Sequence, residues 1–175
     1  MRDISFKEGN IKFDYRVSAI IECNGKYLFQ IMDHDKNLTL VGGRATLMKT
    51  SKQSMVRELK EELGYEAKEE DLKLCEIAEN FFDYYDDKNE LHQVHSILFI
   101  HKLNIPSNVD IASKNGFSVL DKEKTKLIWI TKEEAEKTSI LPTIAKRLLD
   151  SSEFSYDIID DTKEGVTNDL QWITW

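Results

Sequence analysis

The sequence predicts a mixed α+β domain, and three observations carry that reading. Its β-type runs come in pairs joined by tight turns, one long amphipathic helix stands between two such pairs, and there is no regular β-α-β alternation of the kind that builds a doubly wound parallel sheet. The order is strand, strand, helix, then three strands and two short helices, with a tail. Across 175 residues there are two prolines and seven glycines, with no internal repeat and no linker-like stretch. A single domain over residues 1–175 is therefore expected, its core spanning about 13–150 and residues 151–175 forming a C-terminal extension.

Phe13 to Cys23 holds Val17, Ala19, Ile20 and Ile21, and Lys26 to Met32 holds Tyr27, Leu28, Phe29 and Ile31. Side chains of these types pack well on a pleated surface. Between the two runs, Asn24-Gly25 tolerates positive φ at both places, as a two-residue type I′ turn requires, so the runs form a hairpin. A polar loop, Asp33 to Asn37, leads into Leu38-Thr39-Leu40-Val41 and the pair Gly42-Gly43. Thr50 to Leu63 has helical periodicity, with Met55, Val56, Leu59 and Leu63 on one face, and Gly64 ends it where a left-handed cap is cheap. Leu72 to Tyr85 and Leu91 to Leu103 are two more β-type runs, joined by the acidic turn Asp86-Asp87-Lys88-Asn89-Glu90. Lys126 to Ile130 reads as a strand, Lys132 to Lys137 and Pro142 to Leu149 as short helices, and Phe154 to Ile159 as a strand in the tail.

Composition excludes several classes of function. Lysine and arginine total 24 against 32 for aspartate and glutamate, a formal charge of −8, which disfavours binding to nucleic acid or an anionic membrane. No run of about 18 apolar residues is present, and the first eight residues, Met1 to Glu8, are too charged for the apolar core of a signal peptide. A cytoplasmic protein is expected. Two cysteines, Cys23 and Cys75, make no disulfide framework or zinc-ligand spacing and read as small apolar side chains on strands.

The chemistry concentrates in the central helix, Arg57-Glu58-Leu59-Lys60-Glu61-Glu62-Leu63-Gly64. At about 100° per residue, Glu58, Glu61 and Glu62 fall within an arc of roughly 100° flanking the stripe centred near Leu59. Three carboxylates on one side repel one another unless they are solvated, paired with cations or filled with metal. Oxygen-only ligation favours the hard ions Mg²⁺ or Mn²⁺, which keep several waters and bind substrate phosphates. The plain alternative is a solvated face laced by i,i+4 pairs.

With Gly42-Gly43 ahead of that helix, the sequence resembles the Nudix (MutT-like) hydrolases, whose signature is G-x5-E-x7-R-E-U-x-E-E-x-G-U, U being a large apolar residue. Gly43 takes the first place, and Arg57 to Tyr65 matches the second half, so the box covers 23 residues. The likeness extends further: Arg16 to Met32 is similar to the family's opening hairpin, Leu40-Val41-Gly42-Gly43-Arg44 to its Leu-Pro-Gly-Gly-Lys/Arg, and Trp129-Ile130 with the following helix to its closing elements. The resemblance implies an α/β/α sandwich around a mixed β-sheet, and hydrolysis of a nucleoside diphosphate linked to another moiety. It implies Mg²⁺ or Mn²⁺ held by Glu58, Glu61 and Glu62 with the Gly43 carbonyl, and Arg57 orienting a carboxylate.

The chain departs from the pattern at Lys49, where the box has its first glutamate, and at His92-Gln93, where some relatives carry a His-Glu pair. An amide is no general base, so Glu79, Glu90 and His92 become candidates for that role, Glu79 among the catalytic set. Val41 replaces the usual proline. Arg16 and Arg44 are candidates for contacting phosphates, against a plain reading as surface ion pairs, and Phe82 for stacking on a nucleobase, against a plain reading as a hairpin residue. His92, His95 and His101 form no metal triad by spacing. Trp172 and Trp175 suit either docking of the tail or a homodimer contact. Two functions follow: a metal-dependent pyrophosphohydrolase acting on a small nucleotide derivative, ADP-ribose-like or a nucleoside triphosphate, or a catalytically impaired domain that binds a nucleotide as a sensor or interaction module.

Overall fold

The computed structural model describes residues 2–32, 36–86, 88–114, 118–119 and 122–162. Trp172 and Trp175 lie outside them. Among the described residues, eleven strands form one mixed sheet: β1 (Ser5–Glu8), β2 (Ile11–Cys23), β3 (Lys26–Met32), β4 (Leu38–Thr39), β5 (Val41–Arg44), β6 (Lys73–Tyr85), β7 (Leu91–Asn104), β8 (Ser118–Val119), β9 (Lys122–Thr131), β10 (Ile140–Leu141) and β11 (Ser155–Asp161). Helix α1 (Ser51–Leu63) follows β5, and α2 (Lys132–Lys137) and α3 (Ala145–Leu148) follow β9 and β10.

The sheet forks, and the fork places the site. β2 and β3 pair only next to their turn, Ile21 to Cys23 against Lys26 to Leu28, where Asn24 and Gly25 have φ of 51° and 75° as the hairpin requires. Beyond that they separate. β3 runs antiparallel to β9, while β2 runs parallel to β7 from Ile11 to Glu22. The segment 38–44 bridges the gap, its first part pairing with β3 and its second with β2. At the crossing, Gly42 has φ of 153°, and a Cβ there would sit under 3.0 Å from the Val17 carbonyl oxygen and the Ser18 Cα, so no larger residue fits.

Each face of the sheet has its own core. On one, Met55 and Leu59 of α1 pack with Val17, Ala19, Ile21, Leu28 and Val41; on the other, Ala135 of α2 and Ile144 and Leu148 by α3 pack with Ile20, Phe29, Ile100 and Ile130. This is the expected α/β/α layering.

Helix α1 starts at Ser51, with Thr50 as its N-cap. Thr50 Oγ1 accepts from Gln53 N at 3.1 Å and Gln53 Oε1 from Thr50 N at 3.2 Å. Gly64, at φ 66°, ends the helix. Its buried face differs from the expected stripe: Val56 and Leu63 are half-buried, whereas Ser54, Glu58 and Glu62 are buried with Met55 and Leu59. The helix is turned so that two carboxylates face the fork. The expected helix from Pro142 begins only at Ala145, because Ile140–Leu141 is drawn into parallel pairing with Leu38–Thr39, and a residue before proline favours such an extended backbone. The tail strand forms as β11, parallel to β6. No helix among the described residues is long and apolar enough to cross a membrane.

Candidate active site

Arg57 organises the acidic helix. Its Nη2 donates to Glu58 Oε1 at 2.6 Å and to the Arg44 carbonyl at 2.8 Å, and its Nη1 donates to Glu61 Oε2 at 2.5 Å. One guanidinium thus ties two carboxylates of α1 to the glycine loop. Burial is the largest influence on Arg57 and lowers its pKa, but Glu58 and Glu61 together prevail and raise it above the ordinary arginine value. Glu58 lies against Gly43 so closely that a Cβ at Gly43 would fall under 3.0 Å from the whole carboxylate. Glu62 is fully buried and accepts from the Gln30 side-chain amide of β3, on the far side of the fork.

The second group of cations lies on β2 and β5, where Arg16 and Arg44 are directly paired and so share a face of the sheet. Arg44 binds Asp14 at 3.2 Å, with Asp3 at 3.8 Å, and Lys12 binds Asp14 at 2.7 Å. Burial lowers the Arg16 pKa, opposed first by Asp14 and then by Glu58 and Glu62, so its guanidinium senses both buried carboxylates through the fork. Phe82 is on this face too, since the register sets it opposite Val94 and Val94 beside Lys12.

With strands diverging over an acidic helix, a glycine pair at the crossing and α-helices on both faces, the chain can be set beside known structures. The MutT protein of Bacillus halodurans matches with a TM-score of 0.64 and 17% identity over 91% of this chain and 94% of that one. The Nudix fold is the fold of this chain. A MutT structure from work on Aliivibrio salmonicida and Vibrio cholerae matches at TM-score 0.51 and 15% identity, over 78% and 96% of the two chains. A Nudix hydrolase of Nitrosomonas europaea matches at 0.51 and 18%, over 85% and 79%. No family model and no curated protein matches the sequence.

Within this Nudix fold the residues singled out in the sequence divide. Gly43, Arg57, Glu58 and Glu61 form one cluster; Glu62 faces the fork beside it; Arg16, Arg44 and Phe82 lie on the other face of the sheet, from which Arg16 senses Glu58 and Glu62 through the fork. Glu79 does not join them. It pairs through Ile97 with the Tyr15 position, on the face that α1 covers, where its carboxylate accepts from Tyr156 Oη and meets His95 Nε2 at 3.5 Å. Glu90 and His92 lie at the β6–β7 turn with Asp86, whose Oδ2 is 3.1 Å from His92 Nε2 and whose Oδ1 accepts from the backbone of Lys88 and Glu90.

The donor set of the helix, three carboxylates and a backbone carbonyl, suits a hard divalent cation. Among the described residues, however, the one group of three whose ligand atoms all lie within 4.8 Å is Asp86, Glu90 and His92. Glu58 and Glu61 are instead drawn to Arg57 and Glu62 to Gln30, so the helix carboxylates stand in a clasped arrangement.

Lys49, at the first-glutamate place, is exposed beside a cavity of about 220 Å³ also lined by Thr46, Gln53, Ser54 and Arg57. Arg57 Nε is buried with no acceptor. Sequence reasoning missed Gln30 and Asp14. Asp14 had a signal: Lys12, Asp14, Arg16 and Ser18 alternate along β2 with Phe13, Tyr15, Val17 and Ala19, marking one polar face. Gln30 had none, since its partner comes from a remote helix.

Proposed function

We propose that this chain is a metal-dependent pyrophosphohydrolase that cleaves the diphosphate linkage of a small nucleotide derivative, ADP-ribose-like or a nucleoside triphosphate, with Mg²⁺ or Mn²⁺ as cofactor. The observation that carries the reading is the convergence, at the sheet fork, of buried Glu58 and Glu62 with Glu61 and Gly43, with Arg16 sensing both buried carboxylates and Arg44 its cross-strand neighbour. Glu58, Glu61 and Glu62 with the Gly43 carbonyl would hold the cation. When bound, it would neutralise the diphosphate and lower the pKa of a water.

The chain's own residues supply positioning and charge. Arg16 and Arg44 meet the anionic diphosphate, bidentate contact being the strength of a guanidinium. Arg57 orients Glu58 and Glu61 and anchors both to the loop through the Arg44 carbonyl, so it is a positioning residue. Gln30 holds Glu62 in its orientation across the fork. Phe82 offers an apolar surface for the group beyond the diphosphate. The plain ion pair expected of Arg44 is present with Asp14, and the diphosphate would compete with that carboxylate for it. Glu79, engaged by Tyr156 and His95, is assigned no step.

A second reading is favoured by Lys49 and the unpaired Arg57 Nε: a catalytically impaired Nudix domain that binds a nucleotide as a sensor. Incubation with Mg²⁺ or Mn²⁺ and a panel of nucleoside diphosphate derivatives, with released monophosphate measured, separates the two. Turnover that Glu61→Gln reduces at least about tenfold supports the enzyme; nucleotide binding without turnover supports the sensor. The protein is expected in the cytoplasm, with no nucleic-acid or membrane partner, and size measurement in solution distinguishes monomer from homodimer.

A further inference from the structure

The face of the sheet beneath α2 and α3 changes character along β2, β7 and β6. Where the helices cover it, the inward positions of β2, β7 and β6 are mostly apolar, as at Ile20, Ile100, Leu98 and Ala78, with the buried Glu76 and, on β11, Asp157 as polar members. One step beyond Arg16, the register places Asp14, Ser96 and Asn80 side by side on three neighbouring strands, with Ile159 of β11 on the far side of Asn80, and the next row carries Lys12, Val94 and Phe82. Asp14, Ser96 and Asn80 are all buried. Two have partners: Asp14 binds Lys12 and Arg44, and the Ser96 hydroxyl donates to the Asn80 carbonyl at 3.5 Å. The Asn80 side chain is different, because its Oδ1 is buried without a hydrogen-bond partner. A buried amide oxygen left unpaired is costly, and a ligand that completes it is one way such a group persists in a folded chain.

We propose that Asn80 reads the edge of a nucleobase whose ring lies against Phe82, restricting the site to nucleoside derivatives. This rests on the placement of the diphosphate at Arg16 and Arg44 proposed above. The spacing agrees with it. Asn80 is two strands and one side-chain step from Arg16, roughly 12 Å from strand separations of about 4.8 Å and a two-residue rise of about 7 Å. That separation is comparable with the length of a nucleoside. Phe82 is the next same-face residue along β6 and extends the floor under a ring that Asn80 would meet at its edge. A carboxamide offers one acceptor beside one donor, and a half-turn of the amide exchanges them, so it pairs with base edges that present the complementary couple. A base-free sugar phosphate or polyphosphate has no such edge.

The test measures binding by calorimetry, with Mg²⁺ present, of AMP, GMP and ribose 5-phosphate to the full chain and to Asn80→Leu and Asn80→Asp. The parent is expected to bind the nucleotides about tenfold or more tighter than ribose 5-phosphate, and Asn80→Leu to lose most of that preference while keeping its affinity for ribose 5-phosphate. Asn80→Asp, nearly isosteric, turns the amide into two acceptors. It is expected to shift the GMP-to-AMP affinity ratio about tenfold towards GMP, whose N1–H and N2–H donors lie side by side. A merely structural asparagine would not move that ratio. Equal binding of ribose 5-phosphate and nucleotides by the parent, an unshifted ratio in Asn80→Asp, or no binding of any of the three overturns the proposal. Base-selective binding without hydrolysis of any diphosphate would instead overturn the hydrolase reading and leave Asn80 its role.

Discussion

Replacing Gly43 by alanine puts a methyl group where the Glu58 carboxylate now lies. The new Cβ would fall under 3.0 Å from Oε1, Oε2 and the carboxyl carbon of Glu58, closer than real Cβ atoms come to other atoms. Gly43 is not among the residues with positive φ, and the obstacle is the end of a side chain, so Glu58 gives way and the backbone stays. That displacement breaks the 2.6 Å bond from Arg57 Nη2 to Glu58 Oε1. A charge-assisted bond is worth about 1.5–3 kcal/mol, and because Arg57 keeps Glu61 and the Arg44 carbonyl, a net loss of about 1–2 kcal/mol is expected. In a chain of this length the midpoint of thermal unfolding would fall by about 2–8 °C. Mn²⁺ affinity, which depends on where Glu58 points, is expected to fall about tenfold or more. Thermal scans without metal and Mn²⁺ titration by calorimetry measure the two effects. Gly42→Ala is the control: at φ 153° its Cβ meets the backbone of Val17 and Ser18, so it should destabilise the fold far more than Gly43→Ala. If Gly43→Ala keeps the parent's midpoint and Mn²⁺ affinity, the contact between the loop and Glu58 has no part in metal binding.

Two buried groups set opposing pH dependences. Burial raises the Glu76 carboxyl, which accepts from Ser155 and Arg147 and faces Asp157, from 4.5 to about 7. The folded state then holds the proton more tightly than the unfolded one, so stability falls by about 3 kcal/mol as pH rises from about 4.5 to about 7, and Glu76→Gln should abolish that slope. Burial lowers His101 from 6.5 to about 4, so the unfolded chain binds the proton first and stability falls by about 3 kcal/mol on acidification from about 6.5 to about 4; His101→Asn should remove that loss. Urea unfolding of parent and variants at pH 4, 5.5 and 8 reads both. Arg16→Met is expected to raise KM for a diphosphate substrate about tenfold or more, while Mn²⁺ binding without ligand stays level or tightens, since a cation facing Glu58 and Glu62 is gone. Lys49→Glu supplies a carboxylate near Arg57 Nε and should raise stability by about 1 kcal/mol and increase turnover; unchanged values for both would show that the position has been bypassed.

What the sequence revealed, and what it hid, follows from the range of the interactions involved. Asn24-Gly25, the Thr50–Gln53 capping box and Gly64 act within a few residues, so the first hairpin and α1 were legible almost to the residue. The Arg57–Glu61 pair is an i,i+4 contact and was equally visible as spacing. Burial of Glu58 and Glu62 was not, because it depends on the fork between β2 and β3, which arises from long-range pairing of β2 with β7 and of β3 with β9. The same long-range pairing decides which face each strand residue takes. It unites Arg16, Arg44 and Phe82 and sends Glu79 to the other side, although Glu79 and Phe82 are three residues apart. β1 was missed, since Ser-Phe-Lys-Glu has almost no strand pattern and is ordered by pairing with β2.

The most direct test sets the helix carboxylates against the turn at Asp86, Glu90 and His92, where three ligand atoms already converge. Mn²⁺ binding should be measured by calorimetry in the parent, in Glu58→Gln and Glu62→Gln, and in a variant with Asp86, Glu90 and His92 all changed to alanine. Loss of about tenfold or more in affinity in each helix variant, with the turn variant binding like the parent, is the expected result. Binding that survives in the helix variants and disappears in the turn variant would contradict the placement of the metal at α1 and, with it, the proposed hydrolysis.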